Sequence, residues 1–227
     1  MPHPLNGLER NAEASRYALL RRLAPAMRHQ LAGGLQPVSM MAAIIEKRLK
    51  AATPDLAAVA KTSGDVRALA AAATRSSLDL MGWIACDPEA RAPLDKGIHD
   101  ALHLVATELS FRGITCVNET GGMNTEVALH HIRGVFVAAL MALTDAAATP
   151  ANLRVIADCE GESMAVTIAL TDVATAKKIT PYDEFQVNLA SYRKIDWDDV
   201  EALAAADGAS VEHTAVAVML RVPVSTG

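Results

Sequence analysis

The chain has 227 residues, of which 51% are hydrophobic and only 4% aromatic, and its formal net charge is −5. This charge excludes the concentrated basic surface on which nucleic-acid affinity depends, so we expect no nucleic-acid partner. No apolar run is long enough for a signal peptide or a membrane span, which predicts a cytoplasmic protein without a membrane partner. Three widely spaced cysteines favour reduced thiols over a disulfide framework or a zinc site.

The first predicted element is a long helix from about Glu13 to Lys50, interrupted by the Gly33-Gly34 pair and Pro37. Apolar side chains recur along it at alternating steps of four and three, as the seam of a helical bundle requires. They are Leu31, Leu35, Val38, Ala42, Ile45 and Leu49. A turn follows, with Thr53 as a candidate helix cap and Pro54 suited to the first helical position.

A second helix is predicted from this turn to about Ala85, with the same spacing of apolar and small side chains. They are Leu56, Val59, Ser63, Val66, Leu69, Ala73, Ser76, Leu80 and Trp83. Two such antiparallel helices leave an apolar face, which a second copy would cover by forming a four-helix bundle. We therefore expect a homodimer; the alternative is that the second domain covers this face within a monomer.

The second half predicts helices on one face of a mostly antiparallel sheet, which is an α+β fold. The domains are then a helical hairpin, 1–88, and an α/β sandwich, 89–227. The predicted elements are, in order, a helix Leu94–Arg112 ended by Gly113, a strand Ile114–Asn118, a helix Thr125–Ala148, strands Leu153–Cys159 and Met164–Leu170, an irregular stretch Thr171–Pro181, a helix Asp196–Ala206 ended by Gly208, and a hairpin of Ala209–His213 with Val216–Val222.

This order of elements resembles the histidine kinase module over nearly the whole chain. In that family the hairpin dimerises and carries a phosphorylated histidine, and the sandwich binds ATP. The stretch from Met27 to Pro37, MRHQLAGGLQP, resembles the phosphoacceptor box, which implies that His29 is the phosphoacceptor. Leu94 to Glu119 resembles the first helix and first strand of the ATP-binding fold. Leu140 to Pro150 resembles the helix that normally carries a magnesium-binding asparagine.

The residues that bind ATP in that family are replaced here. Thr144, followed by Asp145, stands where the family has the asparagine. The glycines of the Asp-x-Gly-x-Gly motif are Ala174 and Ala176, after Asp172. The glycine-rich lid is matched only by 185–191, FQVNLAS, which has no glycine to adopt the positive-φ turns of a phosphate cradle. The resemblance therefore extends to the ChpT-type histidine phosphotransferases, which have lost ATP binding, and implies that the chain binds no cofactor.

His29 lies two positions, or roughly 200° around a helix, from the seam residue Leu31, so we expect its ring to face solvent. Candidate partner-binding residues surround it in sequence. They are Arg22, Arg28, Gln30, Gly33 and Gly34. Two of them are basic and, with Arg21, could meet the acidic pocket of a receiver domain. Gly33 and Gly34 each cost about 1 kcal/mol in a helix interior, which suggests that a partner's helix approaches closely there. Spacing alone favours an ordinary surface histidine on a bundle helix, and only the family resemblance favours a phosphoacceptor.

The sequence thus predicts a dimeric histidine phosphotransferase rather than an ATP-dependent kinase. His29 would relay phosphoryl groups between response-regulator receiver domains, and the receiver would supply the magnesium. Gln30 replaces the Asp or Glu that usually follows the phosphoacceptor, which favours an alternative: a pseudokinase-like interaction protein that binds a response regulator or kinase without phosphoryl transfer. A divergent active kinase is a third hypothesis.

Four other histidines have separate expectations. His99 and His103 could share a metal, while His130 and His131 are expected at a helix edge and at the surface, respectively.

Overall fold

The structure is a computed structural model that describes residues 6–85, 87–148, 150–171 and 194–224. The chain forms two compact units: one is Ala24–Ala85, and the other combines Met1–Leu23 with Cys86–Gly227. The sequence predicts that the whole of 1–88 belongs to the hairpin, whereas the structure groups the first 23 residues with the sandwich. The reason is that Ala12, Leu19 and Leu23 are buried, and their neighbours bond to sandwich residues.

The first helix, α1, spans Gly7–Leu49 and runs through Pro25, Pro37 and the two glycines without interruption. It begins six residues earlier than predicted, because Asn6 and Glu9 cap it reciprocally. The Glu9 backbone N–H donates to the Asn6 side chain at 2.9 Å, and the Asn6 N–H donates to the Glu9 carboxylate at 2.8 Å. This is the geometry of a capping box.

The second helix, α2, spans Leu56–Ala85. Its cap is Asp55, whose carboxylate accepts a hydrogen bond from the Ala58 backbone N–H at 3.0 Å. The prediction that Thr53 caps the helix and that Pro54 is its first residue is therefore wrong. An aspartate directly before the helix satisfies the free N–H groups of the first turn, so the helix starts after it.

The sandwich unit contains a two-stranded ribbon, β1 with β3, and a five-stranded sheet in the order β2-β4-β5-β7-β6. Strand β2 runs parallel to β4, and the other neighbours are antiparallel. The elements are β1 Arg91–Pro93, α3 Leu94–Phe111, β2 Ile114–Asn118, β3 Glu126–Ala128, a π-helical segment His131–Phe136, α4 Val137–Ala146, β4 Ala151–Glu160, β5 Ser163–Thr171, α5 Trp197–Asp207, β6 Ser210–His213 and β7 Ala217–Pro223. The predicted α+β class is confirmed.

The predicted single helix Thr125–Ala148 is wrong. Its first part is strand β3, which pairs with β1 and buries Val127 and Ala128. The π-helical segment and α4 follow. Every side chain from Val137 to Thr144 is buried, so α4 forms the centre of this unit's core.

Glycine ends α3 and α5 as predicted, since Gly113 and Gly208 have φ values of 70° and 72°, which suit a residue without a Cβ atom. Helix α5 begins with a capping box between Asp196 and Asp199. The predicted irregular stretch Thr171–Pro181 lies outside the described residues except at its first position. None of the described helices combines the length and the apolar character needed to cross a bilayer.

Candidate functional site

His29 is exposed on α1, four residues before Gly33, which is exposed as well. Residues four apart lie on one face of a helix, so the imidazole and the glycine share an open face. A Cβ atom added to Gly33 would meet no heavy atom within 4 Å. The surface one turn beyond His29 is therefore free of side-chain bulk, and another molecule can approach the helix backbone closely there.

Gly34 lies on the hairpin side of α1. A Cβ atom added to it would be 3.8 Å from Ala73 on α2, which is an ordinary van der Waals distance. The two glycines thus differ in surroundings: Gly33 faces open space and Gly34 faces the second helix. Pro37 has no N–H, so the Gly33 carbonyl cannot receive the usual helical hydrogen bond from that position.

Two further predicted site residues flank His29 in sequence. Arg28 is exposed, which leaves its guanidinium accessible to a partner. Gln30 is half-buried, and its amide donates a long hydrogen bond of 3.4 Å to the Ser76 hydroxyl on α2. Its side chain is therefore directed toward α2 rather than toward the open face that His29 shares with Gly33.

Arg22 is placed differently from the sequence expectation, because it is only 3% exposed. Its guanidinium donates to both carboxylate oxygens of Glu108 on α3, with one of these hydrogen bonds at 2.7 Å, and it lies 3.4 Å from Asp145 on α4. The prediction that Arg22 contacts a partner is therefore wrong. A buried arginine in a bidentate carboxylate pair holds helices together.

Arg112 completes a buried network with the same acids. It lies 2.8 Å from Asp145 and 3.4 Å from Glu108, and it also donates to the Thr144 backbone carbonyl. The two positive charges of Arg22 and Arg112 balance the two negative charges of Glu108 and Asp145. Burial would lower the pKa of Arg22, but the hydrogen bond and charge of Glu108, together with Asp145, raise it above its ordinary value.

The resemblance to histidine kinases implies a magnesium ion near Thr144 and Asp145, and these residues do not fit one. Thr144 is fully buried, and its hydroxyl donates back to the Leu140 carbonyl at 2.7 Å. Asp145 is shared by Arg22 and Arg112, so its negative charge is already balanced. Magnesium requires oxygen ligands that can turn toward it, and these oxygens are committed elsewhere.

The residues that stand where histidine kinases bind the nucleotide lie outside the described part of the chain. They are Asp172, Ala174, Ala176 and the stretch 185–191. The rings of His99 and His103 are 6.4 Å apart on α3, and the described part of the chain has no cluster of three or more metal-binding side chains.

The histidine pair at 130 and 131 is more buried than expected. His131 is 3% exposed and His130 is half-buried, so the expectation that one of them lies at the surface is wrong. Strand β3, and not a helix, precedes them, so their positions around one continuous helix did not determine their burial.

Sequence reasoning missed the buried ionic network. One signal was present: Glu108 and Arg112 are four residues apart on the side of α3 that otherwise carries apolar residues. A charged pair on a buried helix face requires further partners. Nothing in the sequence identified Arg22, more than 80 positions away, as that partner.

No protein-family model and no curated protein matches the sequence. Among solved structures, the chain is similar to the Acinetobacter baumannii histidine kinase AdeS, with 9% identity and a TM-score of 0.45 over 84% of this chain and 98% of that one. It is similar to the catalytic domain of the histidine kinase ThkA, with 11% identity and a TM-score of 0.42 over 60% of this chain and 95% of that one. A bacterial phosphotransferase matches 97% of this chain and 98% of its own, with 13% identity and a TM-score of 0.39. All three identities and TM-scores are low, so these likenesses carry no argument about function.

Proposed function

We propose that this chain is a histidine phosphotransferase that relays phosphoryl groups between response-regulator receiver domains through His29, without binding ATP. The observation that carries the proposal is the exposed imidazole of His29 on an uninterrupted helix, one turn before the open surface at Gly33. A phosphoacceptor must be accessible from solvent and held rigidly while the partner docks. His29 is exposed, and its place within a continuous helix supports the second condition.

The chemistry requires a neutral imidazole and an activated donor. A receiver domain carries its phosphoryl group as an aspartyl phosphate. One ring nitrogen of His29 attacks the phosphorus in line, and a P–N bond forms as the P–O bond to the aspartate breaks. The electron pair of that bond leaves with the carboxylate. The reverse step on a second receiver domain transfers the group onward and regenerates the imidazole, and magnesium is supplied by the receiver.

The buried ionic network supports a relay over an ATP-dependent kinase. Asp145 and Thr144 occupy the position where the resemblance implies a metal-binding asparagine, and Arg22 and Arg112 engage them. A phosphotransferase whose donor is already reactive needs no nucleotide. The neutral network is therefore compatible with transfer at His29, whereas it opposes metal-bridged binding of a triphosphate at the same place.

Homodimerisation is part of the proposal. Large apolar side chains of the hairpin are between 49% and 69% exposed. They are Leu35, Met40, Leu49, Leu56, Leu78, Met81 and Ile84. An exposed apolar surface on two antiparallel helices is stabilised when a second hairpin packs on it, and a four-helix bundle buries it with twofold symmetry. Leu35 and Leu49 belong to the predicted seam, which supports this arrangement.

A second candidate function is a pseudokinase-like interaction protein that binds a regulator or kinase without phosphoryl transfer. The observation that favours it is the presence of Gln30 beside His29, because a glutamine amide cannot take up a proton, and this side chain bonds to Ser76 on α2. The two candidates share the same docking surface and differ only in whether His29 becomes phosphorylated.

A transfer assay distinguishes them. The purified chain is incubated with receiver domains labelled by radioactive acetyl phosphate and, separately, with radioactive ATP. His29→Ala is compared with the matched control His103→Ala, which removes another exposed helical histidine. Label that passes from a receiver to the wild type and to the control, but not to His29→Ala, supports the relay.

The other outcomes are equally decisive. Label acquired from ATP alone would establish a kinase and refute the relay. Binding of a receiver domain with no label on the chain, in both wild type and control, would support the interaction protein. Label retained by His29→Ala would show that another residue accepts the phosphoryl group.

A further inference from the structure

The histidine pair that precedes and begins the π-helical segment has unusual surroundings. The ring centroids of His130 and His131 are 4.2 Å apart, and the rings are tilted by 53°. The Nδ1 atoms of both rings are buried and have no hydrogen-bond partner within the described part of the chain. Buried polar atoms without partners are rare, and π-helical segments often mark functional sites. The pair therefore requires an explanation that the relay at His29 does not supply.

The tautomer of His131 follows from the hydrogen bond that its Nε2 atom makes. Its Nε2 atom lies 2.8 Å from the backbone carbonyl of Asp207, the last residue of α5. A carbonyl can only accept, so Nε2 carries the hydrogen, and Nδ1 of the neutral ring carries a lone pair. A charged ring at position 130 would carry a hydrogen on both nitrogens, and its buried Nδ1–H would have no described residue to accept it, which costs free energy.

Charged groups on three neighbouring elements face the pair. Burial lowers the pKa of His130, and the neighbouring His131 lowers it further. Asp207 on α5 acts in the opposite direction, while Arg91 on β1 and Arg16 on α1 lower the pKa again. The Asp207 carboxylate is already ion-paired with Arg16. A positively charged ring at position 130 would therefore compete with Arg16 for Asp207.

The same contacts attach the first turns of α1 to the sandwich. Arg16 binds Asp207, and one residue earlier the Ser15 hydroxyl donates to the Asp199 carboxylate at 2.7 Å. Both acids belong to α5. The histidine pair thus adjoins the ion pair that holds α1 against α5 within one compact unit.

We propose that the histidine pair forms a pH-sensitive latch through His130: while its ring is neutral, Asp207 holds Arg16 and the first turns of α1 stay docked, and acidification releases this segment from α5. The direction follows from linkage. A histidine whose pKa is lower in the folded state than in the unfolded chain, where it is about 6.5, takes up a proton more readily when the contact opens. The docked state is therefore fully favoured above that pH and loses stability as the pH falls below it.

Hydrogen exchange followed by mass spectrometry tests the latch on the full chain. Amide exchange of residues 8–22 is measured at pH 7.5 and pH 5.5 and corrected for the intrinsic pH dependence. In the wild type, we expect the corrected exchange to rise about threefold or more at pH 5.5, while exchange in residues 65–80 of α2 changes less. In His130→Gln/His131→Gln the rise should disappear, because a glutamine amide can donate to the Asp207 carbonyl but does not titrate.

The control is His103→Gln, which should retain the wild-type response. The latch is refuted if residues 8–22 of the wild type exchange equally at both pH values, if the double variant responds to acid as the wild type does, or if the α2 reference rises in parallel. Should the double variant fail to fold, the single variant His130→Gln decides: a smaller acid response supports the latch and an unchanged one overturns it. Neither result depends on phosphorylation of His29.

Discussion

Replacing Arg22 with alanine should strongly destabilise the sandwich unit. Arg22 is 3% exposed and makes a bidentate pair with Glu108. Removing one partner of a buried ion pair typically costs about 3–5 kcal/mol, because the remaining charge is left without compensation. Here Arg112 remains 3.4 Å from Glu108 and 2.8 Å from Asp145 and compensates in part. We therefore expect the free energy of unfolding to fall by about 2–4 kcal/mol.

Urea unfolding followed by Trp197 fluorescence, in a Trp83→Phe background, measures this loss, and with an m-value of about 2–3 kcal/mol per molar the midpoint should fall by about 1 M. Arg22→Met, which retains most of the side-chain volume, should also destabilise, since it too leaves the acids short of a cation. The matched control is Arg154→Ala. The exposed ion pair that it removes, with Glu119, should contribute nothing measurable to the free energy of unfolding. If Arg22→Ala and Arg154→Ala had the same midpoint, the structural role assigned to the network would be refuted.

Three further predictions concern the hairpin and the thiols. Gly33→Ala should stabilise the hairpin by about 1 kcal/mol in thermal unfolding, because the added methyl group meets open space; destabilisation would contradict this. Leu35→Asp should convert a dimer to a monomer in light scattering, and a monomeric wild type would contradict the proposed bundle. With Cys86→Ser as background, Cys116 should react with a thiol reagent at pH 8 far more slowly than the exposed Cys159, because burial raises the pKa of Cys116 to about 11. Equal rates for the two thiols would contradict that difference.

Elements bounded by strong local signals were predictable from the sequence. The strand Ile114–Asn118 has the predicted bounds, because Gly113 ends α3 and polar residues follow the strand. The end of α5 at Gly208 has the same cause. The exposure of His29 also followed from helical spacing relative to Leu31.

Features that depend on distant partners were not predictable. Strand β3 forms because β1 supplies its hydrogen bonds, which overrides the helical character of the surrounding sequence. The first turns of α1 join the sandwich through Arg16 and Arg22, whose partners lie 191 and 86 positions away. A basic residue beside a candidate phosphoacceptor suggests partner binding, and only the fold shows that Arg22 is buried.

The most direct test of the central claim is to locate the phosphoryl group by mass spectrometry. The chain is mixed with a phosphorylated receiver domain, digested at neutral pH to preserve phosphoramidate bonds, and its peptides are sequenced by fragmentation that retains the modification. The relay predicts a single phosphoryl group on His29 and none on the exposed His99 or His103. An unmodified His29 peptide from a chain that binds the receiver, or a phosphoryl group on another residue, would contradict it.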